Sequence, residues 1–327
     1  MAASLKGRSL LTLRDWSADE IRAVLDLAHE LKREGRARRE GRASRSGRGK
    51  SGARFSGMSL AMLFEKRSTR TRCAFETAFA EEGGHPVFLS TQDIHLGAKE
   101  SLEDTARVLG RMFDAIEFRG YRQETVQALA EHAGLPVYNG LTDLYHPTQV
   151  LADLMTLEEA RGKLGGLRLA YVGDGRNNVA TSLLIGCAKM GVHCTVASPA
   201  ELQPAAGHME YCRAEAAGTG ARIAVESAAA DAVRGADAVY TDVWVSLGEE
   251  GKEGERMALL EPFRVDGALM QSAASENRET IFLHCLPAVR GNEVTGEVMD
   301  GERSRVWDQA ENRKHTIKAL MAATLCG

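Results

Sequence analysis

The sequence predicts an α/β protein of two domains, each a parallel sheet flanked by helices. Three observations carry that prediction. The chain has 327 residues, beyond the size at which one hydrophobic core stops growing. Short apolar runs alternate with amphipathic segments along most of it, the pattern of parallel strands covered by helices. Clusters of polar residues then follow directly on the apolar runs, at the strand ends where open α/β sheets place their ligands.

The apolar runs predict strands at Ser59 to Phe64, Val87 to Leu89, Ala115 to Phe118 and Pro136 to Tyr138 in the first half. In the second half they predict Leu167 to Val172, His193 to Ala197, Arg222 to Val225, Ala238 to Thr241 and Thr280 to His284. Between the halves, Val150, Leu151, Leu154 and Leu157 fall on one face of a helix running from His146 to Glu159, so the expected domains are 1–150 and 151–310, joined by helix. Thr316 to Leu325 has the apolar pattern of a C-terminal helix. From Arg33 to Arg54 the chain is mostly Arg, Gly, Ser and Ala and cannot bury enough apolar surface to fold alone. A solvated loop between helix and strand is the expectation there, in preference to a surface for RNA or an acidic partner.

Composition is that of an ordinary globular enzyme, with 44% hydrophobic and 26% charged residues. A formal charge of −4 argues against a dedicated nucleic-acid binder, and no stretch is long and apolar enough to span a membrane. Met1 to Trp16 lacks the features of a secretory or organellar leader, which makes the cytoplasm the expected address. Cys73, Cys187, Cys194, Cys212, Cys285 and Cys326 form no C-x-x-C pair and have no histidine at zinc spacing, so no metal site is expected and most should be reduced, buried hydrophobes.

The run from Phe64 to Arg72 is chemically the most telling. A buried strand ends at Phe64, and Phe75, Ala78 and Phe79 recur at helical spacing, which sets Ser68 or Thr69 near a helix N-cap. Free N–H groups at the helix start, the hydroxyls and Arg70 can then converge on an anion. Taken alone, the string is equally explained by Ser68 as a cap, with Arg70 and Arg72 paired to Glu65 and Glu76. Arg119 leaves the next strand and, alone, reads as an ion-pair partner. Pro147 suits the first turn of a helix, which puts His146 at its cap and Gln149 one turn on, facing the same spot.

In the second half, Gly173-Asp174-Gly175 follows a strand, but Asn178 stands where a dinucleotide fingerprint needs its third glycine, and a dehydrogenase is a weak alternative. Asp242 at a strand end can pair with an α-ammonium, and Ser246 can hydrogen-bond the same amino acid; a dicarboxylic acceptor would instead call for Arg or Lys. A cationic acceptor is expected. The charged stretch Gly248 to Glu255 has the composition of a closing loop. Cys285 ends the last strand, either as a small buried hydrophobe or as a covalent nucleophile.

In order, these motifs resemble the aspartate/ornithine transcarbamylase family over nearly the whole chain, from Ser9 to Leu325, most weakly between Arg33 and Arg54. Ser68-Thr69-Arg70-Thr71-Arg72 is similar to its carbamoyl-phosphate signature, and the flanking F-E-K and C-A-F-E to the ornithine branch. F-R-G at Arg119, H-P-T-Q at His146, the Asn177-Asn178 turn, H-C-L-P at Cys285 and A-E-N-R at Arg313 complete the likeness.

The resemblance implies carbamoyl transfer from carbamoyl phosphate to the side-chain amine of ornithine, giving citrulline and phosphate, without metal or organic cofactor. Carbamoyl phosphate would be held by Ser68, Thr69, Arg70, Thr71, Arg119, His146, Gln149 and Arg313, together with His95, Cys285 and Leu286. Ornithine would be held in the second domain by Asn178, Asp242, Ser246 and Leu247. Cys285 and Leu286 would stand near the reacting amine and carbamoyl group, and catalysis would rest on Arg119, His146 and Cys285. Residues 311–327 would return to the first domain, and the chain would form a homotrimer or an assembly of trimers. His95 stands near a Gln that many members send into a neighbouring subunit's site. Leu247 replaces the usual Met, a mild change if that position contributes its backbone N–H. A sister enzyme acting on putrescine or a modified ornithine, and a non-catalytic sensor, are the alternatives; a sensor would be expected to have lost Arg70, His146 or Cys285.

Overall fold

The structure is a computed structural model that describes residues 4–40, 53–90, 100–245 and 250–326. The chain divides into two compact units, Met1–Met155 with Glu311–Gly327, and Thr156–Ala310. In order the first runs α1 (Ala18–Arg39), β1 (Ser59–Phe64), α2 (Thr69–Ala80), β2 (His85–Ser90), α3 (Leu102–Met112), β3 (Ala115–Arg119), α4 (Gln123–Ala133), β4 (Val137–Leu141) and α5 (Pro147–Arg161). Then follow β5 (Arg168–Val172), α6 (Asn178–Met190), β6 (His193–Ala197), α7 (Ala206–Thr219), β7 (Ile223–Glu226), α8 (Ala229–Val233), β8 (Ala238–Thr241), α9 (Glu253–Leu260), α10 (Gly267–Ala274), β9 (Ile281–His284), α11 (Gly296–Asp300) and α12 (Val306–Leu325).

The first unit holds a four-stranded sheet in the order β2-β1-β3-β4, all parallel. β1, β3 and β4 are buried because helices must carry every parallel crossover and so cover the faces, while the edge strand β2 is only partly covered. Ala61, Leu63, Ile116, Phe118 and Val137 pack with Ala106 and Leu109 of α3 and Val126 and Leu129 of α4. The second unit holds a parallel five-stranded sheet in the order β7-β6-β5-β8-β9. Ala170, Val172, Val239 and Phe282 form its core with Val233, Phe263, Val265 and Met270. In each sheet the strand order reverses once, between β1 and β3 and between β5 and β8. Such reversals leave a crevice at the carboxyl ends of the strands, where ligands bind.

The predicted α/β class with two parallel sheets therefore holds, and four local expectations are corrected. Residues Arg33 to Arg39 continue α1 as helix instead of opening a loop; Arg54 ties the far end of that connection to Glu34 and Glu82, at 3.3 and 3.1 Å, while 41–52 lie outside the described residues. The C-terminal helix starts at Val306, ten residues before the apolar pattern suggests, because Gln309, Asn312 and Arg313 are buried polar positions. Glu253 to Glu255 begin α9 after a short 3₁₀ turn at Glu250–Lys252, so that part of the charged stretch is helical. Of the cysteines, Cys187, Cys194 and Cys212 are buried, whereas Cys73 and Cys326 are exposed and Cys285 is half-buried.

Candidate active site

In the first unit the polar residues gather where β1, β3 and β4 end. Ser68 is extended at φ −161° and its Oγ accepts the N–H of Thr71 at 3.2 Å, which makes it the N-cap of α2. Thr69 and Arg70 lie in the first helical turn. Arg72 is committed to Glu76 at 2.9 Å and stacks over Phe88 at 3.7 Å, while the Glu65 carboxylate accepts the Tyr121 N–H at 2.8 Å.

Thr71 is the hub. Its Oγ1 accepts from Arg119 Nη1 and from Arg313 Nη2, each at 3.2 Å, and all three residues are buried. Arg313 Nη1 also donates to Gln149 Oε1 at 2.7 Å, and Gln149 Nε2 donates to Asp153 Oδ1 at 2.8 Å. The carboxylate thus fixes the amide, and the amide fixes one face of the guanidinium. His146 is buried just ahead of α5; burial first, then the charges of Arg313, Arg119 and Arg70, push its imidazole well below the usual histidine range. It is a neutral ring among cations, suited to donate or accept a hydrogen bond but not to carry charge.

The sequence did not point to Glu117. It lies two residues before Arg119 on β3, hence on the same face of the strand, and it is fully buried. Burial drives its carboxyl well above the normal range, opposed by Arg119 and Arg313. Period-two spacing from Arg119 was the signal that could have found it.

In the second unit the turn after β5 begins at Gly173, whose φ of +136° suits glycine. Asp174 secures this turn through Arg256 at 2.9 Å, with both side chains buried, and accepts the Arg176 N–H at 2.9 Å. Asn177 caps α6, accepting the Ala180 N–H at 2.7 Å, and donates from Nδ2 to the Tyr171 hydroxyl at 2.7 Å and to Asp242 Oδ2 at 3.3 Å. Asn178 is the first residue of α6 and half-buried.

Asp242 leaves β8 and Cys285 leaves β9, and the thiol donates to Asp242 Oδ1 at 3.0 Å. Burial raises the Asp242 carboxyl; His284, the thiol and the Val243 N–H counter it. The Cys285 thiol is thus held as a hydrogen-bond donor to a carboxylate.

His284 is fully buried. Its Nδ1 accepts the Leu286 N–H at 2.8 Å, so Nε2 carries the proton and donates to Glu293 Oε1 at 3.2 Å. The same Glu293 oxygen accepts the Val289 N–H at 2.6 Å. Leu286 has φ +60°, rare for a side chain of its size, and a cis peptide to Pro287 follows. Donor atoms of Asp242, His284 and Cys285 lie within 4.8 Å of one another, yet both ring nitrogens of His284 are engaged by Leu286 and Glu293. That trio is built as a hydrogen-bonded wall. His95, Ser246 and Leu247 lie outside the described residues.

A cluster of buried guanidiniums around Thr71 and a buried carboxylate at Asp242 thus stand at the strand ends of the two parallel sheets. Models of the aspartate/ornithine carbamoyltransferase carbamoyl-P binding domain and Asp/Orn binding domain match residues 8–159 and 165–324. The chain belongs to the aspartate/ornithine carbamoyltransferase family. Among curated relatives, the ornithine carbamoyltransferase of Pseudothermotoga lettingae is 62% identical over 99% of this chain and 100% of its own length. That of Thermotoga maritima is 60% identical over the same shares, 99% and 100%. The solved ornithine carbamoyltransferase of Pyrococcus furiosus superposes with a TM-score of 0.91 at 43% identity, covering 100% of this chain and 99% of that one.

Proposed function

We propose that this chain is an ornithine carbamoyltransferase: it transfers the carbamoyl group of carbamoyl phosphate to the side-chain amine of L-ornithine, yielding L-citrulline and phosphate. The observation that carries the reading is the convergence of Arg119 and Arg313 on one hydroxyl, Thr71 Oγ1, beside the start of α2. Two guanidiniums held that close on a neutral acceptor repel each other, and a phosphate dianion relieves the repulsion with charge-assisted hydrogen bonds.

Ser68 to Thr71 and Arg70 bind the phosphoryl oxygens with Arg119 and Arg313. His146, Gln149 and Arg119 hold the carbamoyl group, donating to its oxygen as negative charge builds there. The acceptor's α-amino group pairs with Asp242, and Asn178, with Asn177 beside it, takes the other main-chain groups. Cys285 and the Leu286 carbonyl stand near the side-chain amine. This amine has a pKa of about 10 in water and must lose a proton before attack, which acceptor groups in a desolvated pocket favour. Its lone pair then forms the N–C bond, the C–O bond to phosphate breaks with the electron pair leaving on oxygen, and the nitrogen sheds its extra proton. Orientation and fixed donors supply the rate.

The active form is a homotrimer or an assembly of trimers, and its compartment is the cytoplasm, a reading in line with six free cysteines. No described helix is long and apolar enough to cross a membrane. The test is citrulline-type product formation with ornithine, putrescine, aspartate and N-acetylornithine side by side. Turnover with ornithine alone is expected. Preference for another amine, or turnover that survives in Asp242→Ala, contradicts the assignment.

A further inference from the structure

Behind the acceptor site lies a tyrosine that the reaction just described does not use. Tyr171 stands near the end of β5, fully buried, in register with Val196 of β6 and Tyr240 of β8, its ring stacked on that of Tyr240 at 5.8 Å between centroids. Phenylalanine would fill that place in the sheet, whereas a buried hydroxyl costs free energy unless it is hydrogen-bonded. The Tyr171 hydroxyl accepts from Asn177 Nδ2 at 2.7 Å. Burial first, then the charges of Asp242 and Asp174, push the phenol well above its ordinary range, so it keeps its proton and remains a neutral acceptor.

Asn177 is fully committed within the protein. Its Oδ1 takes the Ala180 N–H at 2.7 Å as the cap of α6, which turns the amide nitrogen toward Tyr171 and Asp242. Of the two N–H bonds on Nδ2, one goes to Tyr171 and the other to Asp242 Oδ2 at 3.3 Å. A cap needs only the oxygen, and Ser or Asp would serve it equally. What the amide adds is a pair of donors, and it keeps a second carboxylate away from Asp242. The short bond to Tyr171 and the cap together fix the amide plane, and the longer bond to Asp242 depends on both.

The hydrogen bonds of Asp242 then decide where an ammonium can dock. Its Oδ1 already accepts the Cys285 thiol at 3.0 Å and the Val243 N–H at 2.8 Å. A carboxylate oxygen takes about two hydrogen bonds, so among the described residues Oδ2, the oxygen bonded to Asn177, is the one left open to an ammonium. We propose that Tyr171 is a positioning residue for the acceptor: by holding Asn177 it sets the orientation of Asp242 Oδ2, the oxygen that receives the α-ammonium. Tyr171, Asn177, Asp242 and Cys285 all belong to the second unit, so the effect falls on the amino acid and spares the phosphate site. The inference rests on the acceptor site assigned above.

The test is a double-mutant cycle between Tyr171→Phe and Asn177→Ser, since Ser keeps the cap of α6 but offers no pair of N–H groups. Two quantities are read on the intact protein. One is the KM for ornithine, and the other is the calorimetric Kd of L-norvaline with carbamoyl phosphate present; norvaline carries the α-groups without the reacting amine. Contacts to the α-groups are the same before and during the reaction, so their loss appears in KM and not in kcat. Tyr171→Phe is expected to raise the ornithine KM and the norvaline Kd by about three- to tenfold, with kcat and the KM for carbamoyl phosphate within about twofold of the wild type. In the Asn177→Ser background the same change is expected to add less than about twofold. Tyr138→Phe removes an equally buried hydroxyl from the first unit, bonded to Thr324 Oγ1 at 2.6 Å, and should leave norvaline binding as in the wild type. An unchanged norvaline affinity in Tyr171→Phe, an equal loss in both backgrounds, or an equal loss in Tyr138→Phe overturns the role of Tyr171. A wild type that turns over no ornithine and binds no norvaline overturns the acceptor site itself.

Discussion

Thr71 concentrates the argument at the residue scale, since its hydroxyl accepts from two buried guanidiniums while its N–H is capped by Ser68. Removing one donor from such a preorganised set costs about 10²–10³ in rate. Arg313→Ala is accordingly expected to lower kcat/KM for carbamoyl phosphate by roughly that factor, as steady-state kinetics would read; a loss under about fivefold would remove Arg313 from the anion site. Ser68→Ala removes the cap of α2 as well as a hydroxyl, at about 1 kcal/mol, which lowers Tm by about 2–4 °C. Thermal unfolding of that variant should separate this modest structural cost from the larger kinetic one. The sequence placed Ser68 near a helix cap and Arg119 at a strand end, where the structure has them, but did not point to Glu117, because a carboxyl within an apolar strand signals nothing until its neighbours are known.

At the element scale, the strand ends are held by residues that never touch a substrate in the mechanism above. Glu293 fixes the proton of His284 on Nε2, leaving Nδ1 to hold Leu286 in its left-handed conformation. Glu293→Ala is expected to raise KM for ornithine about tenfold or more with little change for carbamoyl phosphate, and Glu293→Gln, which keeps a carbonyl acceptor, to restore most of it. Equal effects on both substrates in kinetic assays would mean that Glu293 serves overall stability alone. Much of this scale was legible: β1, β6 and β8 begin and end where the apolar runs do. β4 runs on to Leu141 although Asn139-Gly140 resembles a turn, because Asn139 Nδ2 finds Leu11 O at 2.9 Å and Gln123 Oε1 at 3.1 Å, and Gly140 leaves space for Glu117. The start of α12 was hidden for a similar reason. Asn312 accepts from Lys32 Nζ at 2.6 Å and Gln309 Oε1 from the His284 N–H at 2.9 Å, so buried polar contacts replace the apolar period that pattern reading needs.

Across the whole molecule, buried histidines tie stability to acid. His315 is lowered to about 4, chiefly by burial, and His146 is held well below the usual histidine range by burial and the surrounding arginines. Both bind protons more readily when unfolded, so stability is full above about pH 6.5 and falls as pH drops from there toward 4. Tm measured across that window should decline, and His315→Gln should flatten part of the decline; an unchanged slope would place the acid sensitivity elsewhere. The division of the chain into two parallel-sheet units was legible from length and alternation, whereas the pairing of Asn177 with Asp242 depends on neighbours far apart in sequence. The central claim is a division of labour, with the anion bound by the first unit and the amino acid by the second. It is tested most directly by calorimetric binding of carbamoyl phosphate to the wild type, Arg313→Ala and Asp242→Asn. Asp242→Asn is expected to bind it within about twofold of the wild type while losing turnover of ornithine, and Arg313→Ala to bind it about 30-fold more weakly or worse. Equal weakening in the two variants, or tight binding that survives loss of Arg313, would contradict the account.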